Sequence, residues 1–185
     1  MALLDIVRLG HPALRTEAAS VPAEMLGGAE LEGLVADLAE TMRAAEGVGL
    51  AAPQVGIGWQ LFVYEALDPD DPASSIPLRA IVNPMIEPEA GELVYDWEGC
   101  LSIPDLRGLV PRHPQVRVRG FDPAGRELDY VASGLEARIV QHEFDHLNGV
   151  VFLDRMRDLR SLAFYREWER FLFDEAERPV ATKPE

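Results

Sequence analysis

The sequence predicts an α+β fold: mostly antiparallel strands and small sheets around one central helix, with a further helix near each end. Three observations carry this. Apolar stripes at helical spacing occupy residues 29–46 and 159–175. Short β-branched and aromatic runs lie between them. A last helical pattern, 133–149, contains H-E-x-x-H and would form the centre.

The elements follow in order. Residues 1–28 read as irregular, with Pro12, Pro22 and a Gly27-Gly28 pair. In 29–46, Leu31, Leu34, Val35, Leu38 and Met42 recur at 3.6-residue spacing, a core-facing stripe that Gly47 ends. Residues 47–56 form a glycine-rich loop. It lacks the G-K-[ST] ending of a phosphate loop and the three-glycine dinucleotide fingerprint, and by itself reads as a turn. Residues 60–64, 79–83 and 92–95 are expected strands, and 68–77, rich in proline and aspartate, is a surface loop. Residues 115–119 alternate strictly, 122–125 is a turn, and 126–131 can pair back as a hairpin. Residues 150–153 look like a short strand. A final amphipathic helix is expected over about 159–175.

At 185 residues, with 48% hydrophobic and 26% charged residues, the chain suits one domain, taken as 1–177, and a flexible tail over 178–185. A single cysteine excludes an internal disulfide and fits a reducing compartment. The first residues lack the basic start and long apolar core of a signal peptide, and no apolar run approaches membrane-spanning length. A soluble, cytoplasmic protein is expected. The formal net charge of −15 argues against nucleic acid as a direct substrate.

His142 and His146 are four residues apart, so on a helix both imidazoles share a face and can bind one divalent metal. Glu143 lies beside them, free to act as a base. Ser133 and Glu136 are spaced as a capping box, and Gly149 suits the left-handed position after the last turn.

A catalytic site of this kind needs a third protein ligand and one open position. One protease class continues H-E-x-x-H-x-x-G-x-x-H, but here Phe152 stands at the last position. Another uses a glutamate about twenty residues on, and Glu167 lies near that distance. The remaining candidate is Cys100, in Glu98-Gly-Cys-Leu-Ser-Ile-Pro104, where glycine and proline point to a fixed, non-helical backbone around the sulfur. Its surroundings favour Cys100, whereas spacing alone leaves Glu167 open. Asp145 is read as a structural ion-pair partner ahead of a residue that orients a ligand. Ser102 with His113 lacks the acid of a triad.

Together, Gly47-Val-Gly-Leu-Ala-Ala-Pro-Gln54, Glu98-Gly-Cys-Leu-Ser-Ile-Pro104 and Gln141-His-Glu-Phe-Asp-His146 resemble the three signature motifs of peptide deformylases, in order and at similar separations. The resemblance spans roughly residues 3–172. It implies a metal-dependent hydrolase that removes the N-formyl group from the initiator methionine of nascent polypeptides. It implies Cys100, His142 and His146 as metal ligands and Glu143 as acid/base. Gln54 and the Leu101 N–H would face the formyl oxygen. Val48, Leu135 and Ile139 would line the methionine pocket. Gly49 would pair with the substrate backbone, and Arg107 matches a basic substrate-side position. Arg138 interrupts the apolar set, so its side chain is expected to turn away or to present its methylene stem. The implied cofactor is one divalent ion, Fe²⁺ above all, with Zn²⁺, Ni²⁺ or Co²⁺ able to occupy the same site. The implied partners are N-formylmethionyl peptides, with transient ribosome contact left open. The rival reading is a zinc peptidase using Glu167.

Overall fold

In the computed structural model, which describes residues 2–89 and 91–173, the chain enters through two 3-10 turns, Pro12–Arg15 and Ala23–Met25. Helix α1 (Ala29–Ala44) follows. Then come β1 (Gly49–Ala51), a 3-10 turn (Ala52–Val55), β2 (Leu61–Ala66), β3 (Ile76–Pro88), β4 (Val94–Cys100) and β5 (Ile103–Arg112). Strands β6 (Gln115–Phe121) and β7 (Glu127–Ser133) lead into α2 (Gly134–Leu147). The short elements α3 (Phe152–Arg155), β8 (Ala163–Phe164) and α4 (Tyr165–Phe171) complete it. The strands make an antiparallel sheet of order β1-β2-β3-β6-β7 and a smaller one of order β4-β5-β8.

Strand β2 shows how the layers form. Successive side chains point to opposite faces of a sheet. Leu61 and Val63 therefore pack with Leu31, Leu38 and Met42 of α1. Phe62 and Tyr64 pack on the other side with Ile139, Val140 and Leu147 of α2. Such double burial explains the uninterrupted apolar run in 61–64. Each of these side chains contributes about 1.5–3 kcal/mol through loss of water contact. A third cluster, with Cys100, Ile103, Val110, Val151 and Phe152, joins the small sheet to the segment after α2. No helix among the described residues is long and apolar enough to cross a membrane.

Several expected elements differ. Ser133 makes no capping hydrogen bond. It is still paired to Gln115 in the sheet, and the chain turns into α2 through Gly134 at φ 57°. Glu136, free of a capping box, accepts from the Tyr64 hydroxyl at 2.9 Å and pairs with Arg79 at 3.1 Å. Residues 150–153 are not a strand. Asp154 accepts from the Val151 N–H at 2.9 Å and starts the single turn α3, and short apolar runs do not themselves distinguish strand from helix. The helix expected over 159–175 is broken. Residues 163–164 pair with Arg107 and Leu106 and cover the free edge of β5, leaving α4 only seven residues. Its expected end and the tail 178–185 lie outside the described residues.

Tyr64 is fully buried, and its hydroxyl lies 2.6 Å from that of Tyr130. Burial first, then the neighbouring phenol and Glu136, push its ionisation far above the usual tyrosine range, and Tyr130 is raised too. The folded state thus holds protons that the unfolded chain releases near pH 10. This contribution is complete below about pH 10 and is lost as pH rises beyond it. Tm is expected to fall more steeply above pH 10 in the wild type than in Tyr64→Phe. Equal slopes would refute the assignment.

Candidate active site

Helix α2 carries the H-E-x-x-H pair, and its end is built by a complete C-terminal cap. Gly149 N–H donates to the His146 carbonyl and Val150 N–H to that of Asp145. Gly149 has φ 68°, and a Cβ there would lie 2.9 Å from the Arg15 carbonyl carbon. Only glycine meets both demands.

The His142 and His146 rings stand 5.1 Å apart, centroid to centroid. The end of β4 brings Cys100 against them, with Sγ 3.2 Å from His146 Nε2. The three side chains offer donor atoms that all lie within 4.8 Å of one another. Ligand atoms on one tetrahedral ion sit about 3.5 Å apart, so one thiolate and two imidazoles fit a single divalent metal. Glu167 is exposed on α4 and does not belong to this cluster.

Glu98 orients the first histidine. Its Oε2 lies 2.9 Å from His142 Nδ1. A carboxylate only accepts, so Nδ1 carries the proton and Nε2 is left for a metal. Arg112 grips Glu98 with two bonds of 2.9 Å, and Arg138 adds a third at 2.8 Å. Burial opposes the Glu98 charge, but the bonds from Arg112 and His142 outweigh it and hold the carboxyl well below its usual range. The Arg138 guanidinium is committed to Glu98 and to the Val110 and Val94 carbonyls, while its side chain still lines the cavity. Asp145 is an ion-pair partner, bonded to Arg112 at 2.6 Å and to Arg155 Nε at 3.0 Å.

Glu143 is 4% exposed, and its Oε2 is buried with no hydrogen-bond partner. Burial pushes its carboxyl up to about 7, with His142 opposing. That is the range in which a carboxylate both takes and returns a proton near neutrality. Gln54 is buried on the 3-10 turn after β1. Its Oε1 accepts from Ala51 N–H at 2.8 Å, which aims Nε2 at Cys100 Sγ (3.5 Å) and Ser102 Oγ (3.4 Å). The amide thus presents a donor to the sulfur side of the site.

A cavity of about 710 Å³ gathers these groups. Cys100, His142, Glu143, Gln54 and Leu101 line it, and so do Val48, Gly49, Leu135, Ile139 and Arg107. Val48 and Leu135 are about half exposed at its mouth, and Ile139 is buried within it. A Cβ at Gly49 would collide with the Glu143 carboxylate, so a larger residue there would have to push that side chain aside. Gly49→Ala is expected to displace that carboxylate and cut turnover about 100-fold with bound metal unchanged. Wild-type turnover in that variant would disprove the contact.

A family model described as polypeptide deformylase matches residues 3–161. The chain belongs to the polypeptide deformylase family. Peptide deformylase 2 of Bordetella bronchiseptica is 47% identical over 161 residues, covering 86% of this chain and 90% of that one. The Met-Ala-Ser-bound class I type b peptide deformylase of Acinetobacter baumannii superposes with a TM-score of 0.79 at 37% identity, covering 84% of this chain and 99% of that one. A peptide deformylase of Synechococcus elongatus, in complex with actinonin, gives a TM-score of 0.76 at 40% identity, covering 98% of this chain and 92% of that one.

Sequence reasoning assigned nothing to Glu98 or Arg112, which order this deformylase site, nor to Trp97 and Tyr165, which line its cavity. Glu98 lies two residues before Cys100 and could have been weighed as a partner for a histidine. Arg112 carries no local signal, because its partners come from β4 and α2.

Proposed function

We propose that the protein removes the N-formyl group from the initiator methionine of nascent polypeptides and releases formate. The observation that carries this reading is the single cavity joining the Cys100, His142 and His146 cluster to the buried carboxyl of Glu143 and the amide of Gln54. Cys100, His142 and His146 hold one divalent metal, which when bound supplies a Lewis acid and makes a water nucleophilic near neutral pH. Glu143 takes the proton of the attacking water. Gln54 Nε2 and the Leu101 N–H donate to the oxygen of the formyl group as it gains charge. Glu143 then gives its proton to the departing amine. Val48, Leu135 and Ile139 receive the methionine side chain, Gly49 lies against the peptide backbone, and Arg107 faces the residues beyond.

A thiolate among the ligands suits iron or zinc better than magnesium. We take Fe²⁺ as the working metal, with Ni²⁺, Co²⁺ and Zn²⁺ able to replace it. We take the protein to act in the cytoplasm, with transient ribosome contact left open. In the segment after α2, acidic side chains nearly cancel Arg155, Arg157, Arg160, Arg166 and Arg170, so a basic docking helix is not part of the reading.

The test is anaerobic formate release from a formyl-Met tripeptide by apo protein reloaded with Fe²⁺, Ni²⁺ or Zn²⁺, beside an unformylated control. Formate is expected with iron or nickel and more slowly with zinc. No formate despite stoichiometric metal would overturn the proposal. Cys100→Ala is expected to lose metal and activity together, and Glu167→Ala neither. The reverse pattern would restore the peptidase reading.

A further inference from the structure

A second cavity, of about 460 Å³, opens on another face of α2 and shares no lining residue with the catalytic one. We propose that it binds a small organic carboxylate with a short apolar body. Its walls include Ile86, Leu93 and Phe144, and Arg157 supplies its unpaired positive charge, Arg112 and Arg155 being engaged by Glu98 and Asp145.

Charge pairing selects the sign of the ligand. The acids lining the cavity are already engaged, Asp145 by Arg112 and Arg155 and Asp154 by Arg15. Arg157 forms no ion pair among the described residues, and its guanidinium lies 5.9 Å from the Tyr95 ring. A cation would find no free carboxylate here, whereas an anion meets an uncommitted guanidinium.

The planar guanidinium fork suits a carboxylate, and the apolar walls ask for a hydrocarbon body on the same molecule. The volume lies toward the small end of ligand cavities, which run to about 1,000 Å³. The net charge of −15 repels anions at long range, so local contacts must supply the affinity.

Hexanoate would be titrated into the zinc-loaded full-length protein, with hexylamine as the cationic control, and followed by amide NMR. Saturable shifts are expected at Leu93, Phe144 and Arg157 with hexanoate alone. Arg157→Gln should weaken binding about tenfold. Leu93→Trp, which fills the cavity, should abolish it. Both variants should keep the wild-type Tm and amide spectrum. The proposal is overturned by shifts confined to Gly49 and Leu101, by none that saturate, by equal response to the amine, or by unchanged affinity in a folded Arg157→Gln protein.

Discussion

Glu143→Gln is expected to lower formate release by about 10²–10⁴-fold while the protein retains its metal. The glutamine keeps the size of the side chain and removes only the capacity to take a proton. Glu143 is not part of the Cys100, His142 and His146 cluster, so metal content should stay stoichiometric. The pH profile supplies a second reading of the same group. Burial, opposed by His142, raises the Glu143 carboxyl to about 7, and a bound divalent cation pulls it back down. The base works only when ionised. In the wild type, kcat/KM should therefore rise with pH along a limb lying between the ordinary carboxylate value and about 7, and this limb should vanish in the variant. A variant that loses metal, or that keeps the limb, would remove Glu143 from the proton transfer.

The features legible in the sequence are those written in local spacing. The stripe from Leu31 to Met42 predicts α1 because one helix face repeats every 3.6 residues. His142 and His146 predict a shared face for the same reason. What escaped are choices between competing partners. Ser133 and Glu136 have the spacing of a capping box, yet Glu136 is drawn to the Tyr64 hydroxyl and Arg79. The stripe in 159–175 reads as one helix, but β5 presents an edge that residues 163–164 cover. Strand β1 was hidden in a glycine-rich loop, because three residues are too few to show alternation; only its pairing with β2 makes it a strand. Glu98 and Arg112 meet across the β4–β5 pair and reach α2 in three dimensions, so no window of sequence contains their relation.

Arg112→Met should be the most damaging single change outside the ligands. The side chain is 5% exposed and bridges two buried carboxylates, Glu98 and Asp145, each also about 5% exposed. Methionine fills similar space but leaves both acids short of a cation. Removing one partner of a buried ion pair commonly costs about 3–5 kcal/mol, which for a chain of this size lowers Tm by about 6–20 °C. The loss depends on pH in a definite direction. Glu98 is held below the usual carboxylate range in the folded protein. Its ion pair therefore stabilises the fold above the unfolded carboxyl value, and that stability disappears as pH falls through the lower folded value. Wild type and variant should accordingly differ most near neutrality and converge in acid. Glu98 also fixes the His142 ring, so the variant should bind metal about 10–100-fold more weakly. Arg138 and Arg155 remain near the two acids and limit the damage, so Arg112→Met/Arg138→Met should lose more metal affinity than either single change. Thermal melts across pH and metal competition with a chelator test both parts. A loss under 1 kcal/mol at neutral pH, with metal affinity intact, would mean that Arg138 and Arg155 suffice and that Arg112 does not order the site.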